Sequence, residues 1–266
     1  MPSAAPPAAS LTDARFDFPP AGQPTFHYMI ATAPRAGSTL LCRQLWQTGQ
    51  LGAPWEYFDF RRNKVAMIAR LGVTSLAEYV SRLYELRTSP NRVFGFKATL
   101  PDFQFIKLAR LRFPGARVIW ITRNDRVAQA VSLARAWQTQ KWSSLDEGSA
   151  GPPIYEFSHI QNCFAHIARE HAGWKSFFRK NIFAPIRVDY DDLVADPDAV
   201  VRQIMTQFGI EPDPTCGVDL PPIGRQFDAT SEEWIARFRR DAAARSIPTK
   251  LVQVARRFYR CPFRPM

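Results

Sequence analysis

The chain has 266 residues, 46% of them hydrophobic, which is enough apolar material for a large core and a length that suits one α/β domain with helical insertions better than two separate domains. Its 35 Lys and Arg against 24 Asp and Glu leave a net charge of +11, a field that favours polyanionic ligands without choosing among them. Cys42, Cys163, Cys216 and Cys261 form no C-x-x-C pair and no regular spacing, which argues against a zinc or disulfide framework and for a reducing, cytoplasmic setting.

Residues 1–24 are rich in Pro and Ala, lack periodicity and read as a flexible tail ahead of a single domain over 25–266. The first positive side chain is Arg15, so no basic n-region precedes an apolar stretch, and no apolar run is long enough to cross a bilayer. Four β-rich runs follow at wide intervals: Phe26–Thr32, Arg92–Lys97, Arg117–Thr122 and Ile186–Tyr190. Helical patterns separate them, which predicts an α/β fold, a single P-loop-like domain whose central parallel sheet is flanked by helices. Ser75 with Glu78 reads as a capping box, Pro101 and Asp102 open a helix, and Asp196-Pro197 opens another that Gly209 closes. Ser231 is expected to cap the helix holding Trp234 and Phe238, and Pro248 to start the last one. The stretch 142–153, with Ser, Gly and Pro and no apolar period, reads as a surface loop.

The first strand leads into Ala33-Pro34-Arg35-Ala36-Gly37-Ser38-Thr39-Leu40, a Gly/Ser/Thr turn with one arginine that opens a helix. Such a turn points backbone N–H groups and a helix N-terminus at an anion, which suits a phosphate. It does not spell G-x-x-x-x-G-K-[ST], and no lysine stands where one would reach β- and γ-phosphates, so a nucleoside triphosphatase is disfavoured. Arg123 ends the third strand and Ser132 lies on the next helix, a spacing that lets both converge on a second phosphate at the sheet's C-terminal edge. Glu56, between Trp55 and Tyr57, is the carboxylate best placed to take a proton from a hydroxyl. Of the histidines, His27 lies in the first strand and His159, His166 and His171 cluster in a later helix, where a structural role is expected. Lys97, at a strand end after Phe94-Gly95-Phe96, reads as a surface lysine, with reach to the acceptor or sulfate as the alternative.

Three blocks in this order carry a resemblance: the turn just described with Gly52-Ala53-Pro54-Trp55-Glu56-Tyr57-Phe58 after its helix, the run Val118–Leu133, and Arg225–Trp234. Together they resemble the bacterial Stf0-type sulfotransferases. The resemblance implies 3′-phosphoadenosine 5′-phosphosulfate (PAPS) as sulfate donor, PAP as product and no metal. It implies that Arg35, Ala36, Gly37, Ser38, Thr39 and Leu40 surround the donor's 5′-phosphate, and that Arg123, Ser132 and Arg225 hold its 3′-phosphate. Glu56 would be the proton acceptor, with Pro54, Trp55, Tyr57 and Phe58 beside it on the acceptor side. A carbohydrate, glycolipid or other small molecule would take the sulfate, with neither nucleic acid nor membrane insertion involved, and a homodimer would be in keeping with the family. Pro34 stands where the trehalose-sulfating members carry glutamine, which points away from trehalose itself. Taken without the resemblance, the same phosphate sites also suit a non-catalytic nucleotide-binding protein or, less well, a P-loop kinase.

Overall fold

Strand-forming residues dominate Phe26–Ala31 (β1), Val93–Ala98 (β2), Arg117–Thr122 (β3) and Ile186–Asp189 (β4), and these pair in parallel in the spatial order β2-β1-β3-β4. The computed structural model describes residues 13–59, 63–143, 148, 151–181, 184–220, 224 and 227–245. All four strands lie within a residue or so of their expected positions, because buried β-branched and aromatic runs between turn residues are a strong local signal.

Alternation along the strands makes two apolar faces. Tyr28, Ile30, Ile119, Ile121 and Val188 pack under helices α1 (Ser38–Gln47) and α8 (Pro197–Phe208), through Leu41, Leu45, Ile204 and Phe208. Met29, Phe94, Phe96, Val118 and Trp120 face α3 (Leu76–Arg87), α4 (Leu100–Leu108) and α6 (Phe157–Lys180), which supply Tyr79, Leu83, Ile106, Trp174 and Phe178. A third cluster joins α6 to α5 (Arg126–Thr139) and α9 (Ala229–Ala244) through Val131, Ile160, Ile167, Trp234 and Phe238. The chain leaves β1 toward β2 on one side and returns past β1 to reach β3 on the other. A crevice therefore opens above the C-terminal ends of β1 and β3.

Cap chemistry matches the expectation in kind and differs in detail. Asp196 accepts from the Ala199 amide at 2.8 Å, and Gly209 ends α8 at φ 71°. Ser75 accepts from the Glu78 amide at 3.2 Å, but the Glu78 carboxylate reaches the amide of Thr74 rather than that of Ser75. Helix α4 begins one turn's edge earlier than Pro101, with the Thr99 amide donating to Asp102 at 3.0 Å. Asp228, not Ser231, caps α9: its carboxylate accepts from the Ser231 amide at 2.9 Å and is gripped by Arg135, and these contacts hold its pKa down at about 2. Helices α2 (Asn63–Leu71) and α7 (Tyr190–Ala195) were not expected; α7 opens directly off β4, where Asp189 accepts from the Asp191 amide at 2.9 Å. The helix expected from Pro248 and part of the 142–153 loop lie outside the described residues.

The folded part starts well before Thr25. Phe16 and Phe18 are both buried, in a cluster with Trp46, Ala53 and Leu220, and the Phe16 ring meets Trp46 edge-on at 6.0 Å. Between them Asp17 pairs with Arg70 at 2.8 Å and with the fully buried Arg87 at 2.9 Å. A buried guanidinium without a counter-charge is costly, so Asp17 fastens residues 13–18 to the domain as firmly as the two rings do. Reading 1–24 as a tail weighed its Pro/Ala composition and passed over these three side chains. Phe16→Ala should accordingly cost about 3 kcal/mol in urea unfolding, where a mobile segment would show almost no change.

Candidate functional site

The turn after β1 places its anion-binding groups through two left-handed residues, Arg35 at φ 63° and Gly37 at φ 90°. At Gly37 a Cβ would sit 2.3 Å from the ring of Tyr190, so glycine serves both the backbone angle and the close approach of that ring. Helix α1 starts at Ser38 without a side-chain cap, leaving the first-turn amides of Ser38, Thr39 and Leu40 turned toward an anion by their geometry. Gly37→Ala should displace Tyr190, destabilise by about 1–2 kcal/mol and weaken binding of the desulfated nucleotide at least tenfold in titration calorimetry.

Long-range bonds fix the turn. Gln129, fully buried on α5, donates to the Pro34 carbonyl at 2.8 Å. Arg35 Nε donates to Ser132 Oγ at 2.9 Å, and one of its terminal nitrogens donates to the Trp142 carbonyl. Arg123 lies 4.6 Å over the Tyr190 ring, so that ring is packed between Gly37 and a guanidinium. Ser132 therefore meets Arg35 directly, and Arg123 reaches the same crevice through Tyr190.

Beside the turn stands a carboxylate–ammonium pair. Lys97, at the C-terminal end of β2, is only 2% exposed, against its expected surface position; its Nζ lies 2.8 Å from Glu56 Oε1 and 3.2 Å from Thr39 Oγ1, with the Trp55 ring 5.2 Å away. Burial by itself would depress the Lys97 pKa, but the Glu56 carboxylate, helped by Cys42 and Asp102, outweighs it and leaves the pKa raised. The Cys42 thiol beneath is buried and pushed up to about 12, so it is inert. The surface reading of Lys97 fails because a lone lysine ending Phe94-Gly95-Phe96 carries no motif to mark it as buried; the strand's unbroken burial is what turns it inward.

A cleft of about 1080 Å³ is lined by Arg35, Gly37, Ser38, Thr39, Leu40, Arg123 and Ser132 together with Trp55, Glu56 and Lys97. Four expected site residues among the described ones fall elsewhere. Tyr57 and Phe58 point into the core, where the Tyr57 hydroxyl bonds the Ala53 carbonyl and Phe58 meets Phe96 edge-on at 5.2 Å. Pro54 and Ala36 are buried outside the cleft lining, and Arg225 lies outside the described residues. In the aromatic run Trp55 faces the cleft, and a turn closed by the Asp59 amide on the Glu56 carbonyl at 3.2 Å carries Tyr57 and Phe58 into the core. Residues that the sequence did not single out also line it: Tyr190, the rim pair Trp137 and Trp142 with ring centroids 5.0 Å apart, and His166 with Glu170 from α6. His171, further along α6, is buried, and burial with Arg126 and Lys175 nearby holds its pKa at about 3. Among the described residues no group of three His, Cys, Asp or Glu side chains is arranged to hold a metal ion, and no helix is long and apolar enough to cross a membrane.

An open parallel sheet with a lysine-free turn at its switch point, beside a carboxylate–lysine pair in one cleft, defines a phosphate-loop-like α/β protein. Known proteins narrow this. The Stf0 sulphotransferase family profile matches residues 27–241, and the chain belongs to that family. It is 26% identical over 263 residues to a trehalose 2-sulfotransferase of Mycobacterium tuberculosis, covering 84% of this chain and 97% of that protein. It is 27% identical over 262 residues to a trehalose 2-sulfotransferase of Mycolicibacterium smegmatis, covering 83% of this chain and 97% of that one. Among solved structures it is similar to the sulfotransferase domain of a Synechococcus olefin synthase, 14% identical at a TM-score of 0.42, covering 83% of this chain and 97% of that domain.

Proposed function

We propose that the cleft transfers a sulfuryl group from PAPS to a hydroxyl of a carbohydrate, glycolipid or other small acceptor, with Glu56 taking the hydroxyl proton. The observation that carries this reading is the placement of Glu56 and Arg35 in the lining of one cleft, separated by Lys97 and Thr39. The donor set fits a nucleotide phosphorylated at two places: first-turn amides of α1 with Arg35 for one phosphate and Arg123 for the other. When bound, the nucleotide supplies an activated sulfuryl group with a phosphate as leaving group.

This chain's residues then have separate tasks. Arg35 and the α1 amides oppose the negative charge that grows on the departing phosphate, a fixed array needing little rearrangement because Ser132 and the Trp142 carbonyl already hold the guanidinium. Lys97 holds the Glu56 carboxylate in place, and its ammonium, next to Thr39, lies between the base and the phosphate turn. Glu56 accepts the proton as the acceptor oxygen becomes a better nucleophile. The trehalose activity named for both relatives supports a carbohydrate acceptor. Pro34 lines the cleft and has no side-chain donor, and its carbonyl is held by Gln129, so this position offers a sugar nothing to bond.

Incubating the protein with a cell metabolite extract and isotope-labelled PAPS, then reading sulfated products by mass spectrometry, tests the reading. A labelled sulfate ester dependent on Glu56 supports it. Tight PAP binding with no labelled product overturns it in favour of a nucleotide-binding protein without catalysis.

A further inference from the structure

Glu56 sits in residues 51–58, a connection between α1 and α2 with no helix or strand of its own, so bonds from other elements decide where this segment lies. The Tyr28 hydroxyl donates to the Leu51 carbonyl at 2.7 Å, the Ala53 amide to the Arg87 carbonyl at 3.0 Å, the Lys97 amide to the Trp55 carbonyl at 2.9 Å and the Tyr79 hydroxyl to the Tyr57 carbonyl at 2.8 Å. Tyr28, Lys97 and Tyr79 stand inside β1, β2 and α3, whereas Arg87 is the last residue of α3, where helices fray first. Its fully buried guanidinium takes its counter-charge from the N-terminal segment: Asp17 lies 2.9 Å away, and the Trp46 ring covers it at 5.2 Å. Asp17 also accepts from both terminal nitrogens of Arg70, at 2.8 and 3.0 Å, so one carboxylate serves two guanidinium groups. Gly52 brings the segment close: a Cβ there would lie 2.6 Å from the Val93 carbonyl oxygen and 3.1 Å from that of Arg87.

The N-terminal segment also stands behind Trp55. That ring packs against the cluster of Phe16, Phe18, Trp46, Ala53 and Leu220 and lines the cleft as well, and Glu56 is the next residue. Without Asp17, a guanidinium removed from water and set beside a second one has to move toward solvent, and the carbonyl that holds Ala53 moves with it. Resting on the sulfotransfer reading, we infer that Asp17 is a positioning residue for Glu56: through Arg87 it holds residues 53–56 so that the carboxylate stays in the cleft beside Lys97. The phosphate turn is held separately, from α5, by Gln129 and Ser132, so nucleotide binding should be indifferent to Asp17.

Two quantities on the full chain provide the test, both taken where calorimetry shows each variant folded: labelled sulfate ester formed in the metabolite extract at saturating PAPS, and PAP affinity by titration. Asp17→Asn should cut turnover about ten- to a hundredfold, the scale of a slightly misplaced catalytic group, and leave PAP affinity within about twofold. A merely structural role would spare both in the folded variant, or lower both together. Arg70→Gln removes the other partner of Asp17 but keeps the Arg87 pair, so it should lower the unfolding temperature with little change in turnover. If Asp17→Asn does not fold, Phe16→Leu loosens the same segment more gently and should give a severalfold fall in turnover with PAP affinity unchanged. Wild-type turnover in the folded variant, equal losses of turnover and PAP affinity, or an Arg70→Gln protein as slow as Asp17→Asn overturns the inference and leaves sulfotransfer standing. A wild-type protein that sulfates nothing in the extract is the failure of the sulfotransfer reading, and this inference falls with it.

Discussion

Glu56→Gln should lower the rate of sulfate transfer by about 10²–10⁴-fold while leaving PAP binding within twofold of wild type, the range expected when a positioned general base is removed. The swap is nearly isosteric, and the amide oxygen of glutamine still accepts from Lys97, whose Nζ lies 2.8 Å from the carboxylate. Glu56 is 28% exposed, so the new amide group also finds water and folding should hardly change. What is lost is the capacity to take up a proton, a loss that belongs to kcat and not to the nucleotide. Steady-state rates with labelled PAPS, read beside calorimetric PAP titrations, separate the two. A Gln variant retaining a third or more of wild-type turnover would remove Glu56 from the role.

The contrast between Glu56 and its neighbours shows what a sequence carries and what it withholds. Strand positions were legible because apolar runs such as Val118–Ile121 are bounded by turn residues, and the phosphate turn was legible because its chemistry sits in consecutive residues. Contacts between distant segments were not. Lys97 meets Thr39 across 58 positions, Arg35 meets Ser132 across 97, and Trp174 donates to the Thr32 carbonyl across 142. No periodicity encodes such pairs; they exist only after the parallel sheet has brought the ends of β1, β2 and β3 to one edge. The same reason explains Tyr57 and Phe58, which local reading places beside Glu56 and packing sends into the core.

Lys97→Met tests how far the ammonium matters beyond holding Glu56. Methionine fills the same slot against Trp55 without a charge, so a change in activity cannot be put down to a cavity. The cost in stability should be about 1–3 kcal/mol: a wholly buried pair would lose more, but Glu56 is partly exposed and water can replace one bond. The catalytic loss should be larger, about 10²–10³-fold, because a cation fixed between the base and the phosphate turn acts where charge develops, with little water to screen it. Lys97→Arg should not rescue it, since the longer planar fork cannot enter a site only 2% exposed without moving Trp55. The pH profile gives a separate check. The folded pKa of Lys97 is raised above the ordinary 10.5, so folding favours the protonated amine; its stabilising effect is complete below 10.5 and disappears as pH rises through the higher folded value. Unfolding free energies measured from pH 8 upward should therefore fall more steeply for wild type than for the Met variant above about 10.5, and parallel curves would mean that Glu56 and Lys97 do not stabilise each other in solution.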